Sequence, residues 1–310
     1  MTRSGVRVMN KLTKFSSTVH RVEREQMILN GDYQDLMRYL GFNCFESVWL
    51  YRSGEAIKNI KARSVICIRI LIHGKEKYFY LKRHNPEYIG LRRLFMQLFP
   101  KWVLSQGRKE FENICDFRKC DLPTVVPLAV GERFVRFFWA ESFLITEDFA
   151  PFISLEYLLR DHPEFLMGPE GEFRKRILIK EIALFARRMH QSGFNHRDFN
   201  ATHILLHYGN QSNIPQIALF DLQRVDKGKF LRFRWIIKTL AEVIYSLSNE
   251  IFNKEDQIYL FKSYKRKKKL GIWDHFQFFW IKRKTARIKR HTEKMMARRK
   301  ARRKMGLMER

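Results

Sequence analysis

The chain reads as an α+β protein in two parts, a small antiparallel β lobe followed by a mainly helical lobe, and three features predict that division. Apolar and β-branched runs of strand length recur between residues 47 and 145. Long amphipathic helical patterns follow from Phe173 onward. Two carboxylates, Asp198 and Asp221, each stand on a turn beside an apolar run, with 22 residues between them. At 310 residues and 45% hydrophobic composition, the chain is long enough to bury a substantial core.

Residues 1–46 read as an N-terminal extension, basic at first and then mixed, with a helical candidate at Asp32–Leu40 that stops at Gly41. The β lobe, residues 47–150, opens with Val48–Tyr51, Ser64–Ile72 and Tyr78–Leu81 as strands, the last two joined at His73-Gly74. Strand alternation puts Lys82 on the face of Tyr78 and Tyr80, where a lysine can reach phosphates. No G-x-G-x-x-G precedes it. The hairpin Gly54–Ser64 is the candidate cover, with Lys58, Lys61 and Arg63 substituting side-chain charge for backbone N–H groups.

A helix is expected over Gln106–Cys120, and it carries two acids. Glu110 shares its i, i+4, i+7 face with Ile114 and Phe117, whereas Glu112 lies with Asp116 and Lys119, so Glu110 is the candidate partner of Lys82. Leu128–Val130 and Phe134–Ile145 complete the strands, and Thr146-Glu147-Asp148 at their end is where a nucleotide base would meet backbone, with Glu147 the central residue.

In the helical lobe, residues 151–264, Ser154 N-caps a helix over Leu155–Arg160. Phe173–His190 carries the stripe Leu178, Ile182, Phe185, Ala186, Met189 and ends at Gly193. The loop after it reads FNHRDFNATHILL from Phe194. Two carboxylates delivered by turns are what phosphoryl transfer requires, one to orient the attacking hydroxyl and one to hold magnesium against phosphates. A further helix is expected over Phe230–Ser248.

This loop resembles the kinase catalytic loop H-R-D-x-x-x-x-N, with His203 in the last position, and the place of the D-F-G motif reads Asp221-Leu222-Gln223. H-R-D-x4-H followed by an apolar run and FDLQRV is similar to the lipopolysaccharide kinase family, the heptose and Kdo kinases. The resemblance covers roughly residues 50–245. It implies a two-lobed protein-kinase-like fold, ATP and Mg2+ as cofactors, and a sugar hydroxyl of the lipopolysaccharide core glycolipid as acceptor. It also implies roles. Asp198 orients the acceptor, Lys82 fixed by Glu110 in Arg108-Lys109-Glu110-Phe111 binds the ATP phosphates, and Asp221 ligates the metal. His203 stands where kinases place an Asn metal ligand and serves either the metal or a phosphate oxygen, since magnesium prefers oxygen to imidazole. His196 and Arg197 brace the loop, and Arg224 steadies it or touches the substrate. Where the family carries Lys-Asp in the following helix, this chain has Lys238-Thr239. Two other readings keep the fold: a phosphotransferase on protein or small molecules, and an inactive kinase-shaped protein that binds membrane or nucleic acid.

The formal charge is +28, and from Lys262 to Arg310 there are 20 Lys and Arg against 3 acids. Residues 265–310 therefore read as a basic helical or disordered tail, whose aromatics in FQFFWI suit an acidic inner-membrane surface, with nucleic acid the lesser alternative. Cys44, Cys67, Cys115 and Cys120 form no C-x-x-C pair and read as reduced thiols. No apolar stretch approaches the roughly 20 residues that span a bilayer, and the first residues lack a signal-peptide core. The expectation is a cytoplasmic protein, peripheral on the inner face of the inner membrane.

Overall fold

The computed structural model describes residues 17–22, 25–72, 74–88, 105–136, 139–209, 212–228, 232–247 and 250–304. The chain divides into two compact units, one of Met1–Ala150 with Asp221–Gln223, the other of Pro151–Phe220 with Arg224–Arg310.

The first unit is built on an antiparallel sheet. Its strands are β1 (Ser17–Val22), β2 (Glu25–Asn30), β3 (Glu55–Ile60), β4 (Arg63–Ile72), β5 (Lys75–Tyr88), β6 (Pro127–Arg136) and β7 (Trp139–Glu147), in the order β1-β2-β6-β7-β5-β4-β3. Its α-helices among the described residues are two short ones, α1 (Gln34–Tyr39) and α2 (Phe45–Leu50), and the longer α3 (Gln106–Lys119). Phe79 and Leu81 of β5 join Met27, Phe42, Phe45, Val48 and Phe143 in a buried cluster. Strand parity sends Lys82 to the opposite face, where α3 packs on β5, β6 and β7.

Three features differ from the sequence reading. Val48–Leu50 is helical: the run is too short for periodicity to separate strand from helix. The helix starts at Phe45, where the Cys44 N–H donates to Ser47 Oγ at 3.3 Å, and Arg83 Nη2 donates to the Val48 carbonyl at its end at 3.0 Å. Second, Ser17–Asn30 is no appendage, because β2 pairs with β6 from Glu25↔Arg133 to Leu29↔Ala129. Third, Phe134–Ile145 belongs to two antiparallel strands, β6 and β7, and not to one.

The second unit comprises β8 (Ile153–Ser154), α4 (Leu155–Asp161), α5 (Gly168–Gln191), β9 (Phe194–His196), β10 (Ile204–His207), β11 (Gln216–Leu219), β12 (Val225–Lys227), α6 (Arg232–Ser246), α7 (Lys254–Lys265) and α8 (Ile272–Lys304). Strands β11, β10 and β8 form one small sheet, β12 and β9 another. Ser154 Oγ caps α4 by accepting from the Tyr157 N–H at 3.1 Å. The stripe on α5 is buried, and Gly193 beyond it takes φ +84, a left-handed conformation that glycine adopts without steric cost. The segment read as a tail is partly core. Helix α8 packs on α6 and buries Gln277 and Ile281, and Asp274 anchors its start by accepting from the Gly271 N–H and pairing with Lys265 and Lys267. No described helix is long and apolar enough to cross a membrane.

Candidate active site

Lys82 and Glu110 are brought together by α3 and β5. Lys82 Nζ lies 2.7 and 2.9 Å from the two Glu110 oxygens and 3.1 Å from Asp221 Oδ1. Glu110 is 2% exposed. Burial opposes the charge on Lys82, but Glu110 and Asp221 outweigh it and hold the ammonium above its ordinary value. Burial pushes the Glu110 carboxyl up, against the pull of Lys82. Arg63 Nη1 stands 3.6 Å from the other Asp221 oxygen. Of the hairpin cations, then, Arg63 reaches the cluster, while Lys58 and Lys61 are exposed.

Helix α3 does more than carry Glu110. Gln106, Glu110 and Asn113 form an i, i+4, i+7 stripe. Asn113 Nδ2 donates to the Leu222 carbonyl at 2.7 Å and Gln106 Oε1 accepts from Gln223 Nε2 at 2.8 Å, so one helix face fixes the two residues that follow Asp221. Asp221 itself sits at φ +56, a left-handed conformation that costs a non-glycine residue free energy and that these bonds hold in place. Sequence reasoning missed Gln106 and Asn113, because an amide that binds a distant carbonyl leaves no pattern.

His84 lies one strand repeat from Lys82, and its register partner is Arg63. It is buried, its Nε2 has no hydrogen-bond partner among the described residues, and burial with Lys82 and Arg63 nearby lowers its pKa to about 3. At Glu147, the expected base contact, the N–H donates to the Val126 carbonyl at 2.9 Å, and the Asp148 N–H donates to the Tyr78 carbonyl at 2.9 Å. Those donors are spent within the sheet. A base at Glu147 would meet acceptors.

In the second unit the loop from Arg197 to His203 links β9 to β10. Both oxygens of Asp198 accept from Arg224 Nη1, at 2.9 and 3.0 Å. His203 Nδ1 faces the Asp198 carbonyl and Asn200 Oδ1, each at 3.0 Å. Both partners are acceptors, so Nδ1 carries the proton and His203 ties the loop back on itself. The loop is held further by Arg197, whose Nε and Nη2 bind Asp226 Oδ1 at 2.9 and 2.6 Å.

A buried relay stands behind it. Asn195 Nδ2 donates to Asp226 Oδ2 at 3.0 Å, and Thr239 Oγ1 donates to Asn195 Oδ1 at 3.0 Å. With its one proton used, Thr239 accepts from His190 Nε2 at 3.1 Å, which leaves His190 Nδ1 to accept from the Tyr264 hydroxyl at 2.8 Å. Burial lowers the His190 pKa to about 4, which keeps it in the neutral state this relay requires. Thr239, where the resemblance leads to the expectation of an acid, is thus a link in a neutral network. Lys238 beside it is half-buried, its pKa lowered by burial against the pull of Glu242 and Asp198, so this lysine also belongs to the Asp198 neighbourhood.

A profile of the lipopolysaccharide kinase (Kdo/WaaP) family matches residues 89–264. The chain belongs to that family. It is 31% identical over 200 residues to a lipopolysaccharide core heptose(I) kinase WaaP of Escherichia coli, covering 63% of this chain and 72% of that one. It is 26% identical over 230 residues to the WaaP of Pseudomonas aeruginosa strain PAO1, covering 73% and 82%. A solved structure described as WaaP in complex with acyl carrier protein superposes with a TM-score of 0.62 at 23% identity, over 84% of this chain and 98% of that one. As a lipopolysaccharide kinase the protein is a phosphotransferase that acts on a sugar hydroxyl, with ATP the substrate its class implies, and its α+β architecture is that of WaaP.

The residues present fit a magnesium ion in one respect. Magnesium binds through one or two carboxylates and substrate phosphates, and Asp221 offers a carboxylate beside two cations suited to phosphate. No cluster of three His, Cys, Asp or Glu able to hold a metal occurs among the described residues. His203 is the wrong donor type for this ion, and its Nδ1 is committed to the loop.

Proposed function

We propose that this kinase transfers the γ-phosphoryl group of ATP to a heptose hydroxyl of the lipopolysaccharide core, working on the inner face of the inner membrane. The observation that carries the reading is the contact of Lys82 with both Glu110 and Asp221, which gives a phosphate-binding ammonium its brace and sets a carboxylate beside it. The heptose acceptor is supported by the named activity of the E. coli and P. aeruginosa relatives.

In this mechanism Lys82, held by Glu110, and Arg63 bind phosphate oxygens, and the arginine supplies charge where a glycine-rich loop would supply N–H groups. Magnesium bound to Asp221 would supply charge neutralisation at the phosphates. Asp198 accepts the proton of, or orients, the acceptor hydroxyl, and Arg224 keeps its carboxylate aimed until the acceptor arrives. His203 keeps the loop closed through its Nδ1–H, a bracing role preferred here over metal ligation. Glu147 meets the adenine amino group through its carbonyl. Purified protein with labelled ATP should phosphorylate core glycolipid in preference to free sugars or a generic basic protein. Asp198→Ala should lose turnover by at least about 100-fold with an unchanged circular dichroism spectrum. Full turnover by Asp198→Ala would remove this carboxylate from the mechanism.

A further inference from the structure

Helix α8 buries one face and leaves the other without a protein partner among the described residues. The buried stripe runs through Asp274, Gln277 and Ile281 and packs toward α6. On the opposite side Ile272, Trp273, Phe276, Phe279 and Trp280 lie in water, Ile272 87% and Trp273 82% exposed. These rings form a continuous surface. Trp273 and Phe276 meet edge-on at 6.2 Å, Phe276 and Trp280 at 6.2 Å, and Phe279 and Trp280 at 5.9 Å. Over about 12 Å of helix, a little more than two turns, apolar and aromatic side chains face outward.

The same stripe continues at three- and four-residue steps as Arg283, Arg287, Arg290 and Lys294, all exposed. Arg283 stands 5.6 Å from the Trp280 ring centroid, at the seam where rings give way to cations. The helix as a whole carries 13 Lys and Arg against 2 acids, and one of those acids, Asp274, faces inward to pair with Lys265 and Lys267. An exposed aromatic patch of this size on a helix marks a docking surface.

The charge chooses the occupant. A second copy of the chain would bring like charge against like. Duplex DNA would use the cations and leave the rings in water. An anionic bilayer surface satisfies both, because aromatic rings settle at the headgroup level while Lys and Arg pair with lipid phosphates.

We infer that the outward face of α8, from Ile272 through Lys294, is a membrane-docking surface specific for anionic phospholipid. This deepens the inner-face location proposed above and rests on it, but it uses none of the phosphotransfer residues, so the two fail separately. The test uses the full chain with phosphatidylcholine vesicles, with and without phosphatidylglycerol, read by cosedimentation and tryptophan emission. Binding and a blue shift are expected only with the anionic vesicles. Phe276→Ser/Phe279→Ser should weaken partitioning by at least about tenfold, and Arg283→Ser/Arg287→Ser by roughly fivefold per charge. Both variants should keep the thermal unfolding midpoint and turnover on detergent-dispersed acceptor. Absence of vesicle binding at low salt, undiminished binding by the phenylalanine variant, or tighter binding to duplex DNA than to anionic vesicles would overturn the assignment. Intact vesicle binding with no phosphotransfer would count against the proposed function alone.

Discussion

The Lys82 cluster and the Asp198 loop are both made of carboxylates facing cations, yet they are held by opposite means. In the first, Glu110 is buried and Lys82 nearly so, and the charges are held by each other. In the second, Asp198 and Arg224 are open to solvent, Arg224 with 58% of its side chain exposed, and the geometry is imposed from behind by a relay of neutral groups from Tyr264 to Asn195. A phosphate anchor can be built as a closed ion pair, because its ligand brings the charge that completes it. Asp198, to which the proposed function gives the acceptor hydroxyl, is partly open to solvent, and the loop that carries it is braced by groups behind it.

The contrast is broken most strongly at Glu110. Glu110→Ala leaves a buried ammonium with Asp221 as its remaining acidic partner and should destabilise the protein by about 3–5 kcal/mol in chemical denaturation. A cost near zero would mean that the pair opens to water. Thr239→Val removes the link between His190 and Asn195 and should cost about 1–3 kcal/mol. Its turnover should fall further than its nucleotide affinity, because Asn195, Asp226 and Arg197 lie on the path to Asp198.

Acid should act on both regions through histidine. His84 and His190 fold with pKa values lowered from 6.5 to about 3 and about 4. Below pH 6.5 the unfolded chain binds protons that the folded chain refuses, so stability is intact above that pH and falls as pH drops toward 4. The slope reaches about 1.4 kcal/mol per pH unit for each histidine. His84→Gln and His190→Gln should each remove one proton from that dependence, measured as unfolding free energy against pH. The smallest effect on stability is expected at Arg224→Ala, about 0–1 kcal/mol for an exposed pair, accompanied by a loss of turnover if Arg224 aims Asp198.

How much of this could be read from the chain alone depends on whether chemistry or packing chose the residue. Asp198, His203 and Asp221 stand out because a fixed spacing on turns is rare without a reason. Glu110 was separable from Glu112 because helical periodicity set it beside Ile114 and Phe117, and those two are buried. Gln106, Asn113 and Asn195 were invisible, since an amide can bond to a distant carbonyl or side chain at any separation. Thr239 could be noticed only as a missing acid, and its partner His190 only as the end of a core helix. Strands β1 and β2 were passed over because charges interrupt their alternation, and β6, the strand that ties β2 into the sheet, lies about 100 residues away. The outward rings of α8 were legible as composition but not as a surface, because one sequence pattern fits rings packed inward and rings left in water.

The stripe of Gln106, Glu110 and Asn113 gives the first unit a mechanical property. Three attachments on one side of a cylinder loosen together when the cylinder rolls, so the ammonium loses its brace in the same motion that frees the backbone around Asp221. Any change that turned that helix would therefore shift the brace on Lys82 and the hold on the residues after Asp221 together.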